Sequence, residues 1–136
     1  MLNSLKVLVV DDDAEVLDVV CAFLESKGYA ATPCGSAQEG LETLDTDTFG
    51  LVISDIRMAG MDGFDFLRAV RGEHPSIGII LMTAYENDFP LSKALSAGAD
   101  GYISKPFSLR KFSLIFEQAY WYAISREDWW DAHAAG

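Results

Sequence analysis

Basic residues are scarce in this chain. Ten lysines and arginines stand against 21 aspartates and glutamates, for a formal net charge of -11 and a pI near 4.3. A surface that tracks nucleic-acid phosphates needs clustered positive charge, so direct nucleic-acid binding by this segment is not expected, and a cation or a basic partner surface fits better. Cysteine is limited to Cys21 and Cys34, without CxxC spacing. That argues against a disulfide framework and leaves two reduced, packed thiols. The two histidines, His74 and His133, lack metal-ligand spacing to any partner. No apolar run approaches the length of a membrane span, and the segment Met1 to Lys6 lacks the basic and hydrophobic regions of a secretory signal. A cytoplasmic protein without membrane association is expected.

What is present is a large apolar fraction, 50% of 136 residues, enough for one domain with a sizeable core. Short apolar runs alternate with longer amphipathic stretches, the pattern of repeated βα units and a parallel sheet. Five strands are expected at about 5 to 10, 29 to 34, 50 to 54, 78 to 83 and 101 to 104. The first helix starts at the aspartates 11 to 13, buries Val16, Val20 and Leu24, and stops at Gly28. Ser36 and Glu39 are spaced as a capping box for the second helix. Phe64, Leu67 and Val70 make the core face of the third, which ends at His74-Pro75. A short fourth helix accepts Pro90 only in its first turn and ends before Gly98. The fifth starts near Ser108 with Phe112, Ile115, Phe116 and Ala119 as its core stripe.

Polar side chains stand at the ends of the expected strands: Asp11 and Asp12 after the first, Asp55 after the third, Thr83 at the end of the fourth, and Lys105 after the fifth. In an open parallel sheet the carboxyl ends of neighbouring strands converge on one crevice, which would collect three carboxylates, a hydroxyl and an ammonium. Clustered carboxylates repel, and a hard divalent ion resolves the repulsion. Mg²⁺ takes oxygen ligands from one or two carboxylates together with phosphate oxygens. Lys105 and Thr83 suit the equatorial oxygens of a transferring phosphoryl group. Asp55, alone at a central strand end, is the best nucleophile, whereas Asp11 and Asp12 form a pair suited to holding metal. Taken alone, Asp12 with Glu15 would read as a helix-capping pair.

The segments VLVVDDD at 7 to 13, VISDIRMAGMDG at 52 to 63, LMTAY at 81 to 85 and GYISKPF at 101 to 107 resemble the receiver domains of two-component response regulators. The resemblance covers about residues 4 to 120 and is closer to receivers of the nitrogen-regulation type. It implies a flavodoxin-like, doubly wound five-stranded parallel sheet with strand order 2-1-3-4-5. It also implies Asp55 as phosphoacceptor, Asp11, Asp12 and Asp55 as metal ligands for Mg²⁺ together with the backbone carbonyl of Arg57, and Lys105 as the phosphate-contacting lysine. Thr83 and Tyr102 become the switch pair, and the Lys105-Pro106 bond becomes cis. The implied function is a phosphorylation-gated signalling module rather than an enzyme. It would take its phosphoryl group from a sensor histidine kinase or phosphotransfer protein and change the face around helix four, strand five and helix five to control a partner, a dimer or an effector domain. Ala59 departs from the family pattern, which usually has proline there.

A competing reading is a haloacid-dehalogenase-type phosphatase, whose D-x-D nucleophile segment Asp11 and Asp13 superficially imitate. No cap insertion is evident in the sequence to support it. The receiver is expected over residues 1-124, followed by a C-terminal helical extension or linker start over 125-136. There Tyr120, Trp121, Tyr122, Ile124, Trp129 and Trp130 exceed what one core stripe needs. Leu114 and Trp121 are seven apart, as are Tyr122 and Trp129, so a helix reaching about residue 132 presents a second apolar stripe. A homodimer through helix five and the tail is expected.

Overall fold

The structure, a computed structural model, describes residues 5 to 133, with side chains to residue 126. Five strands alternate with five helices: β1 (Lys6–Val10), α1 (Ala14–Ser26), β2 (Ala30–Cys34), α2 (Ala37–Thr46), β3 (Leu51–Asp55), α3 (Gly63–Glu73), β4 (Gly78–Thr83), α4 (Leu91–Ser96), β5 (Gly101–Ser104) and α5 (Leu109–His133). All strand pairs are parallel and the sheet order is β2-β1-β3-β4-β5. This is the flavodoxin-like arrangement, and the chain crosses from one side of β1 to the other at the point where order reverses. Pro33 lies in β2, an edge strand, where its missing N–H need not break a central ladder.

Strand periodicity divides the core into two layers. Leu8, Val10, Val52, Ile79 and Leu81 face Phe64, Phe66, Leu67 and Val70 of α3 on one side. Val7, Val9, Ile53, Ile80, Met82 and Ile103 face Val20, Leu24, Phe112, Phe116 and Ala119 of α1 and α5 on the other. β3 and β4 are buried along their whole length, which is why they read as continuous apolar runs and not as alternating ones. Burial of each large side chain contributes roughly 1.5 to 3 kcal/mol.

The helix signals behave as their chemistry requires, with two shifts. Ser36 Oγ accepts from Glu39 N–H at 3.1 Å, and Ser108 Oγ accepts from Lys111 N–H at 3.1 Å. Gly28 and Gly98 follow α1 and α4 at φ 94° and 102°, left-handed values that cost a side-chain-bearing residue energy. α1 is capped by Asp13, which accepts from Glu15 N–H, and not by Asp12. Pro90 is the N-cap of α4, one residue before its first turn.

A charged anchor holds the far half of α5. Arg126 grips both oxygens of Asp100 at 2.7 and 2.8 Å and donates to the Ile77 carbonyl at 2.9 Å. Asp100 also accepts from Arg71 at 3.2 Å and from Ile79 N–H at 2.9 Å. α5 is therefore fastened to the α4–β5 connection just beyond its last buried apolar residue, Ala123.

Candidate functional site

The carboxyl ends of β1, β3 and β4, with the loop after β5, open into a cleft of about 560 Å³ lined by Asp11, Asp12, Asp55, Arg57, Tyr85 and Lys105, among others. Each strand delivers one piece because the register fixes the strand ends side by side. Val10 pairs with Ser54, Asp55 with Met82, and Thr83 with Ser104. Asp55 lies within β3 itself, one residue further than the expected strand end.

Asp11 is fully buried and fully occupied. One of its oxygens accepts from Asp13 N–H at 2.9 Å and the other from Lys105 Nζ at 2.7 Å. Lys105 Nζ also lies 3.5 Å from Asp55. Burial raises the Asp55 carboxyl to a pKa of about 6; Lys105 opposes the rise, while Asp11 and Asp12 add to it. For Lys105 burial works to lower the value, but the bond to Asp11 and the charge of Asp55 outweigh it, and the ammonium is held above its usual range.

The exposed Asp12 completes the cluster: one carboxylate oxygen from each of Asp11, Asp12 and Asp55 lies within 4.8 Å of the others. Oxygens about 2.1 Å from one octahedral ion are about 3 to 4 Å apart, so small side-chain adjustments bring the three onto Mg²⁺. The donor set, all oxygen and rich in charge, fits that ion, and Mg²⁺ is the cofactor of this site.

Gly63 sets the floor beneath Asp55. A Cβ there would fall 2.6 Å from both the Asp55 carbonyl oxygen and Ile56 Cα, and Gly63 N–H donates to the Ile56 carbonyl at 2.7 Å. α3 can thus start directly against the end of β3. The Lys105-Pro106 bond is cis.

Two expected members stand back from the cleft. Thr83 is fully buried, with Oγ1 accepting from Tyr85 N–H at 2.9 Å, and it is not among the cleft-lining residues. Tyr102 is half-buried and donates its hydroxyl to the Phe89 carbonyl at 2.6 Å, tying β5 to the segment before α4. Ser104 donates to Glu86 at 2.6 Å, a second tie between β5 and the same connection.

Arg57 and Tyr85 stack on each other, a contact that the sequence does not display. The Arg57 guanidinium lies 4.4 Å from the Tyr85 ring centroid at the rim of the cleft. Each residue follows a strand-end residue by two positions, in the loops after the adjacent strands β3 and β4.

A buried strand-end aspartate, a carboxylate pair and a lysine on this sheet define a phosphoacceptor module of the receiver type. The sequence profile described as "Response regulator receiver domain" matches residues 7–116, and the chain belongs to that family. Transcriptional regulatory protein ZraR of Klebsiella oxytoca is 36% identical over 117 residues, spanning 86% of this chain and 26% of that protein. This chain therefore matches about a quarter of the length of that regulator. Response regulator TrrA from Thermotoga maritima, solved in complex with Mg²⁺ and BeF, aligns with a TM-score of 0.76 at 26% identity, covering 85% of this chain and 98% of that one. The beryllofluoride-activated NtrC4 receiver domain dimer aligns with a TM-score of 0.81 at 27% identity, covering 87% and 98%. The likeness to ZraR and NtrC4 puts the chain near nitrogen-regulation-type receivers. It is a Mg²⁺-dependent signalling receiver and not a conventional enzyme.

Proposed function

We propose that Asp55 accepts a phosphoryl group from a sensor histidine kinase or a phosphotransfer protein, and that the modification switches the surface of α4, β5 and α5 toward a partner, a second copy or an effector domain. One observation carries the assignment: a buried carboxylate at the end of a central strand shares its cleft with two further carboxylates and has Lys105 Nζ 3.5 Å away. With a pKa of about 6, Asp55 is mainly ionised at neutral pH and able to attack. An Asp55 oxygen bonds to phosphorus as the donor's N–P bond breaks, and the departing imidazole takes up a proton. Lys105, kept as an ammonium, offsets charge on the transferred group. Asp11, Asp12, Asp55 and the Arg57 carbonyl would hold Mg²⁺, which when bound neutralises the carboxylates and the phosphoryl oxygens.

Thr83 and Tyr102 act as the switch in this reading. A phosphoryl group on Asp55 gives the Thr83 hydroxyl a strong acceptor, and drawing it over displaces the connection after β4 to which Tyr102 is bonded through Phe89. The change is a shift between two arrangements, driven by contacts that only the phosphorylated state makes. Residues 1 to 124 serve as the receiver and 125 to 136 as the extension. Exposed Leu114 and Trp121 on α5 support a homodimer through that helix and the tail. Two unpaired thiols, Cys34 buried and Cys21 half-buried, support a reducing, cytoplasmic setting.

The test is intact-protein mass after incubation with a small phosphodonor and Mg²⁺. The parent gains one phosphoryl group and Asp55→Asn gains none; equal labelling of both removes Asp55 from this role.

A further inference from the structure

The connection from β4 to α4 leaves the sheet beside the cleft, and Ala84 to Asp88 within it are exposed. Its own backbone bonds are internal, since Asp88 and Phe89 N–H both donate to the Tyr85 carbonyl. Among the described residues, three hydrogen bonds tie it to the strands. Tyr85 N–H donates to Thr83 Oγ1, Tyr102 donates to the Phe89 carbonyl, and Ser104 Oγ donates to Glu86 Oε2 at 2.6 Å. The first two involve the switch pair. The third has no part in the function proposed above, yet it is the charge-assisted one, as short as a hydroxyl bond to a carboxylate should be. Glu86 makes no ion pair among the described residues, so Ser104 is the partner that its carboxylate has.

The two ends of this bond differ in freedom. Ser104 is held in β5: it pairs with Thr83 in the sheet, Lys105 N–H donates to the Thr83 carbonyl at 2.7 Å, and Ile103 before it is buried. Glu86 stands in an exposed turn. When a phosphoryl group draws Thr83 over, the turn that hangs on its hydroxyl moves and carries Glu86 away from Ser104. A shift of about 1 Å is enough to end a hydrogen bond of this length. Resting on the reading of Asp55 as phosphoacceptor, we infer that the Glu86–Ser104 bond is a latch on the resting arrangement, which a phosphoryl group on Asp55 must open before the surface changes. Glu86 is a positioning residue of the switch, acting through Ser104; it does not line the cleft and touches neither the reacting carboxylate nor its lysine. The bond is made only at rest. It therefore lowers the fraction of molecules in the switched arrangement and, in proportion, the apparent affinity for anything that selects that arrangement.

Beryllofluoride with Mg²⁺ is the probe, because it mimics a phosphoryl group on an aspartate without forming the covalent product. Titration of the full chain at saturating Mg²⁺, followed by amide NMR, should give Glu86→Ala and Ser104→Ala an affinity about three- to tenfold above the parent's. The double variant should gain no more than either single one, since each already breaks the bond. Mg²⁺ affinity measured without beryllofluoride should stay at the parent's value in all three. Equal or weaker beryllofluoride affinity, a gain confined to one of the two positions, or a parallel change in Mg²⁺ affinity overturns the latch while leaving Asp55 as the acceptor. A parent chain that binds no beryllofluoride defeats the acceptor reading, and the latch with it.

Discussion

At the scale of single residues, Asp55 links stability to chemistry. Its carboxyl is raised from an ordinary value of 3.8 to about 6, chiefly by burial. The folded state therefore holds the proton more tightly than the unfolded chain. The resulting stability is fully present below about pH 4 and is lost as pH rises through about 6, a change of roughly 3 kcal/mol for a shift of this size. Asp55→Asn lacks the buried charge, so in chelator at pH 7.5 it should melt several degrees above the parent, and near pH 4 the two should coincide. Equal melting temperatures at pH 7.5 would contradict the raised value. Arg57 and Tyr85 make a second pair at this scale. Their stack stands at the rim of the cleft, where water must approach a phosphorylated Asp55 in line. Arg57→Ala and Tyr85→Ala should each hasten loss of the phosphoryl group, and the double variant should lose it little faster than either single one, because each removal already breaks the stack. Decay times equal to the parent's would show that the stack does not shield. That Asp11, Asp55 and Lys105 share one cleft was legible because each stands at the end of an apolar run. The stack was not, because side-chain pairing across strands depends on register, which one sequence does not display.

Individual elements divide the same way. β3 and β4 were legible since both faces are buried, and α2 announced itself by its N-cap serine, Ser36. Three adjacent aspartates left the cap of α1 open in the sequence: Asp13 takes it, which leaves Asp12 free to face the cleft. The anchoring of α5 was invisible in sequence. Asp100, Arg71 and Arg126 come from three separate segments, and nothing in their spacing announces a shared cluster. Asp100 has its side chain 8% exposed, and Arg126 is its bidentate partner. Arg126→Ala leaves that carboxylate with only Arg71 and one backbone N–H, and should cost about 2 to 3 kcal/mol. Urea unfolding measures the loss, and amide exchange should quicken in α5 beyond Tyr120. Unchanged exchange there would mean that the apolar stripe alone holds the helix.

Across the whole molecule, the strand order puts all the chemistry at one end of the sheet. The Arg126 anchor sits at the other end, where the chain enters β4 and β5. Among the described residues no helix is long and apolar enough to cross a membrane. Thr83 accepts from Tyr85 N–H and Tyr102 donates to the Phe89 carbonyl, so both hold the connection that runs from β4 to α4 beside the cleft. Everything in that account depends on which carboxylate bears the phosphoryl group. Borohydride reduces an aspartyl phosphate to homoserine, marking the modified position permanently. After phosphorylation with a small donor and Mg²⁺, reduction and peptide mass spectrometry should place homoserine at position 55 and nowhere else. Homoserine at position 11 would instead support the phosphatase-like reading and contradict the assignment made here.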